Sequence, residues 1–156
     1  MKKNTPILRT LALLTLLAML ALLTACGDST VTTPAGTEAP GTLSSLWDTA
    51  TYREDTTVGT GATEVTLKVT ADGATVTLTL LTDEVTLADA LLAAGLCRGE
   101  TSQYGLYISH VNGIRADYTL DNGYWWNLIV NGEAATTGVS GVAIQAGDVY
   151  ELARTK

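Results

Sequence analysis

Residues 64–80, EVTLKVTADGATVTLTL, constrain the fold more than any other stretch of the chain. Val65, Leu67 and Val69 alternate with Thr66, Lys68 and Thr70, and Val76, Leu78 and Leu80 repeat the pattern beyond Asp72-Gly73. A period of two is that of a half-buried strand. Asp-Gly between two such runs is a hairpin signal, because a two-residue turn of the favoured hand needs φ > 0 at both positions. The chain therefore opens its ordered part with a β-hairpin that has one apolar face, and that face needs a cover.

The next segment supplies one. Leu87, Ala90, Leu91 and Ala94 fall at i, i+3, i+4 and i+7, which predicts a short helix with a single apolar stripe. Thr86 is placed to cap its N-terminus with Asp89 three residues on, and Gly95 to take the left-handed conformation that ends it. So short a helix is stable only when packed on the sheet. Beyond it the pattern predicts a strand over Gly105–Val111, a turn at Asn112-Gly113, a strand in GYWWNLIV (123–130), a turn at Asn131-Gly132 and a closing strand over 148–154. These elements define an α+β domain. A hairpin, a crossing helix and further, mainly antiparallel strands is the order of a β-grasp-like fold; another small α+β sandwich with different pairing is the rival.

The N-terminal end has a different character. Residues 1–9 carry Lys2, Lys3 and Arg9 with no acid, and 11–25 is an uncharged run of Leu, Ala, Thr and one Met, the layout of a secretory signal peptide. The run is shorter than the roughly 20 apolar residues that span a bilayer. It ends in Leu23-Thr24-Ala25-Cys26, which resembles the lipobox of bacterial lipoproteins, where Cys26 would be lipidated and the peptide bond before it cleaved. The expected location is the extracytoplasmic face of the cell membrane, held by acyl chains at Cys26.

Residues 27–45 are rich in Gly, Thr, Pro and Ala, with few large apolar groups, and read as a disordered tether. The expected division is thus a signal peptide over 1–25, a lipidated tether over 26–45 and one domain over 46–156. Loss of residues 1–25 would leave six basic against sixteen acidic residues, a net charge of −10. So acidic a surface has no electrostatic footprint for nucleic acid. With Cys26 lipidated, Cys97 has no disulfide partner and is expected as a buried apolar group.

Several stretches carry a family likeness: LWDTATYREDTTVGTGA (46–62), LADALLAAGL (87–96), YISHVNGI (107–114), Tyr124-Trp125, NGE (131–133), Gly138-Val139 and GDVYEL (147–152). In this order and spacing they resemble the C-terminal β-domain of transcobalamin and intrinsic factor, and the related bacterial domain-of-unknown-function family found on secreted and lipid-anchored proteins of Gram-positive bacteria. The likeness implies a β-grasp-like domain that supplies one half of a clamp around cobalamin. The helical barrel that forms the other half has no counterpart in this sequence.

The paired tryptophans pose the functional question, since alternation sends their rings to opposite faces. The face of Tyr124, Trp126, Leu128 and Val130 is the more apolar and is assigned to the core. Trp125 and Asn127 then lie outside, a flat ring beside an amide. Tyr107, Tyr124, Trp125 and Asn127 are the candidate ligand-binding residues. The competing expectation is that Trp125 packs on a neighbouring strand or on 46–62.

His110, the single histidine, is read as a strand-end residue and not as a metal ligand. With one histidine, one free thiol and no ligand-spaced motif, neither catalysis nor a required cofactor is expected. Cobalamin enters as a bound ligand. Two readings stand: a lipoprotein that captures a corrinoid and shares it with a surface protein or importer, and a protein-interaction or adhesion module without a small ligand.

Overall fold

The computed structural model describes residues 43–156, all within the compact unit Ala39–Lys156. The expected signal peptide, the lipidation of Cys26 and most of the tether lie outside the described residues. Among those described, no helix is long and apolar enough to cross a membrane.

The chain enters through a 3-10 turn, Ser45–Thr49, and then forms β1 (Thr56–Gly59), β2 (Thr63–Ala71), β3 (Ala74–Thr82), the helix α1 (Leu87–Ala93), β4 (Cys97–Ser102), β5 (Gly105–Val111) and β6 (Ile114–Arg115). There follow β7 (Trp125–Val130), β8 (Glu133–Ala134), a second 3-10 turn at Val139–Gly141 and β9 (Val149–Thr155). The class is α+β, as the periodicities require.

β2 and β3 pair antiparallel across the predicted turn, with Asp72 at φ 52° and Gly73 at φ 78°. Asn112-Gly113 and Asn131-Gly132 adopt the same left-handed pair of conformations. α1 begins and ends on the predicted residues. Thr86 accepts the Asp89 N–H at 3.2 Å, although Asp89 takes the Thr86 hydroxyl (2.6 Å) and not its backbone N–H. Gly95 has φ 67°, with Gly95 N–H on Leu92 O and Leu96 N–H on Leu91 O, so the last carbonyls are satisfied.

Two sheets result. The larger has the order β1-β3-β2-β9-β7-β8, with β1–β3 and β2–β9 parallel and the remaining pairs antiparallel; the smaller is β4-β5-β6. Alternation places Val65, Leu67, Leu78, Leu80, Tyr150, Leu152, Trp126 and Leu128 in one buried cluster with Leu87, Ala90 and Leu91 of α1 and Ile108, Val111 and Ile114 of the small sheet. Among the described residues, the side chains on the opposite face of the large sheet are half-buried or exposed.

β4 is absent from the sequence reading because five of its six residues are exposed and only Cys97 is buried. Such a strand is defined by the partner it pairs with, β5, and not by its own alternation.

Candidate functional site

β7 decides where the two tryptophan rings go. Trp126 is 7% exposed and belongs to the core, whereas Trp125 is 40% exposed. The face assignment made from uniformity of apolar residues therefore matches the burial of the strand.

β5 runs close to the start of β7, and the two leave a cleft of about 190 Å³ between them. Leu106, Tyr107 and Ile108 line one wall, Trp125, Trp126 and Leu128 the other, and Val139 and Leu152 help close it. Tyr107, 49% exposed, separates this apolar cleft from a more polar recess of about 370 Å³ formed with Glu100, Ser109, Asp117 and Thr119. The Tyr107 hydroxyl accepts the Tyr118 N–H at 3.3 Å, which fixes the ring at the boundary. Among the described residues, the indole N–H of Trp126 is buried and has no hydrogen-bond partner. An unmet buried donor costs about 1–3 kcal/mol.

Of the four residues singled out from sequence, the fold brings Tyr107 and Trp125 together and leaves two apart. Tyr124 precedes β7 and does not line the cleft. The Arg154 guanidinium sits 3.6 Å from the centre of its ring, with Lys156 at 5.6 Å, and Arg154 is held by Asp121 at 2.7 Å. That face of the phenol is already occupied by a cation. Asn127 pairs with Ala153 in the ladder; it shares the outward face of Trp125, as alternation requires, but lies two residues further along β7 and is absent from the cleft lining. Leu106, Ile108 and Val139 were not foreseen, since a cleft wall made of ordinary aliphatic residues carries no sequence signature.

His110 lies at the end of β5, with its Nδ1 3.0 Å from the Ser109 hydroxyl. Burial, together with the guanidiniums of Arg98 and Arg115, pushes its pKa below the ordinary histidine range. Those two arginines are its register partners on either side. Among the described residues no group of three or more His, Cys, Asp or Glu side chains stands close enough to hold a metal ion.

Cys97 is a free, buried thiol whose pKa burial pushes up to about 11. Tyr150 rises to about 12, first through burial and then through its 2.8 Å hydrogen bond to the Asp148 carboxylate. Both groups hold their protons more tightly folded than unfolded. Their contribution is therefore complete below about pH 9, where the unfolded thiol begins to ionise, and is lost as pH rises toward 12. Urea denaturation at pH 8, 10 and 11 is expected to give a falling midpoint. A midpoint that stays level across this range would refute the assignment.

The fold and cleft define a small α+β domain that presents an aromatic surface site. Residues 84–153 match the family model described as domain of unknown function (DUF4430). A crystal structure from Ruminococcus gnavus, described as a candidate metal binding protein, is similar at 27% identity with a TM-score of 0.56, covering 61% of this chain and 98% of that one. Haptocorrin in complex with Cbi is similar at 21% identity with a TM-score of 0.46, over 60% of this chain. The chain matches only 25% of the haptocorrin chain's length. No curated protein shows significant similarity.

Proposed function

We propose that the protein is a membrane-anchored, extracytoplasmic binding lipoprotein whose domain grips one side of a flat ligand with an apolar body and a polar fringe, such as cobalamin or another corrinoid. The observation that carries this reading is the apolar cleft between Trp125 and Tyr107, bordered by a polar recess. At about 190 Å³ the cleft is smaller than the roughly 300–1,000 Å³ of enclosing ligand pockets. It suits the edge of a ligand whose other side is held elsewhere, by a surface protein or importer. The corrinoid identity rests on the sequence resemblance, as the anchor rests on the signal peptide and Cys26. A β-grasp-like topology is supported by the strand order β3-β2-β9-β7, with the parallel pair at its centre and α1 following the first hairpin.

A second reading has its own support. β8 pairs only with Ile129 and Val130, so β7 forms the outer edge of the sheet over residues 125–127. An open edge beside exposed aromatics can accept a protein segment as an added strand.

Calorimetric titration of the full chain in mild detergent with cobalamin, and separately with cobinamide, tests the first reading. Saturable heat is expected, and Trp125→Ala should weaken binding by a factor of about 10–30, the loss typical of an anchoring aromatic. Because Trp125 is 40% exposed, the same variant should unfold within about 1 kcal/mol of the parent. Absence of heat with both titrants at high micromolar concentration would rule out capture by this chain alone and leave the protein-docking reading.

A further inference from the structure

The large sheet buries one face, and among the described residues the side chains of its other face are half-buried or exposed. On that outward face the central charged residues are Lys68 and Glu151, with Glu64 at the rim.

The placement of the two charges is specific. Lys68 and Glu151 are register partners on the adjacent parallel strands β2 and β9. Neither takes part in the ion pairs found among the described residues. The Thr70 hydroxyl donates to the Glu151 carboxylate at 2.7 Å, which fixes the carboxylate on the outward face. Around them, the hydroxyls of Thr66, Thr77 and Thr79 have no side-chain partner among the described residues, and their methyl groups offer a flat, packable surface.

We propose that this face is a self-association surface on which a second copy packs about a two-fold axis running along the β2–β9 seam, with Lys68 of each copy against Glu151 of the other. The geometry follows from symmetry. An axis parallel to the strands, midway between β2 and β9 and in the plane between the two sheets, lays β2 of one copy over β9 of its partner without changing level. The lysine of one copy then faces the glutamate of the other twice, and a self-complementary pairing of this kind is what a two-fold interface requires. Sheets packed face to face in this way lie about 10 Å apart with nearly aligned strands.

The four strands β3, β2, β9 and β7 cover about 20 Å by 26 Å at ordinary strand spacing and rise. That is roughly 500 Å² per copy and about 1,000 Å² for the pair, the lower bound for a specific interface. The association is accordingly weak and visible only at high concentration.

Charge reversal tests the arrangement on the full chain in mild detergent, followed by sedimentation equilibrium up to high micromolar concentration. The parent is expected to dimerise. K68E and E151K should each associate about tenfold more weakly or worse, since each places like charges opposite one another. An equimolar mixture of the two variants should regain a heterodimer, and the double swap K68E/E151K should regain the homodimer. Circular dichroism confirms folding, and K68T with E151T, which delete the charges without repulsion, serve if a reversal fails to fold and should show intermediate weakening. A parent that stays monomeric, or reversals that associate as well as the parent, would overturn the proposal. So would a mixture no tighter than its components.

Discussion

Trp47→Ala is expected to destabilise the domain by about 3–5 kcal/mol, the usual cost of removing a fully buried tryptophan. The melting temperature should fall by roughly 12–20 °C for a domain of this size. Trp47 is fully buried in the 3-10 turn Ser45–Thr49, and its indole N–H donates to Ala71 O at 3.1 Å, at the end of β2. Leu43, Leu46, Ala50 and Tyr52 pack against the same core. Trp47→Phe keeps much of the apolar contact and loses the hydrogen bond, so it should cost about half as much. If Trp47→Ala melts within 2–3 °C of the parent, a shift of under about 1 kcal/mol, the N-terminal segment is only draped on the fold. The expected loss would make residues 43–59 part of the folding unit, although the family match begins at residue 84.

Asn112→Ala should cost about 2–4 kcal/mol through a different mechanism. Asn112 is fully buried. Its Oδ1 accepts the Tyr52 N–H at 2.8 Å, and its Nδ2 donates to Tyr52 O at 2.7 Å. Its own carbonyl accepts the Thr51 N–H at 2.9 Å, and its N–H donates to Leu96 O at 2.7 Å. One side chain thus substitutes for a strand neighbour along the incoming segment. Alanine removes both side-chain bonds and also places a methyl-bearing residue at φ 51°, where asparagine is the better tolerated. Asn112→Asp keeps the acceptor but sets a carboxylate oxygen against Tyr52 O, so it should be nearly as damaging. Chemical denaturation of the three proteins checks this, and a loss below 1 kcal/mol for the alanine variant would show that water replaces the clamp.

These two residues illustrate what was legible. Asn112-Gly113 was readable as a turn, because the positive φ of both residues is a local demand that the sequence states directly. That the asparagine also holds Tyr52, sixty positions earlier, was not readable, because nothing local distinguishes a clamping asparagine from a solvated one. The same is true of the cleft. Trp125 and Trp126 could be assigned to opposite faces from alternation, and Tyr107 could be singled out, but Tyr124 and Asn127 do not reach the cleft, Asn127 although it shares the outward face of Trp125 as alternation predicts. Tyr124 instead supports Arg154.

The sequence by itself determined the hairpin, the capped helix, the left-handed turns and the inward face of β7. Each depends on a periodicity or a φ preference satisfied within a few residues. Only the tertiary structure decided that β4 is a strand and that β9 inserts beside β2. It alone set β5 against the open start of β7 to form a cleft, and left Lys68 beside Glu151 on the outward face of the large sheet. Those outcomes depend on pairings between distant segments, whose energies come from burial and backbone hydrogen bonds that almost any apolar or β-branched residue can supply. Such pairings leave little trace in the identity of any one residue.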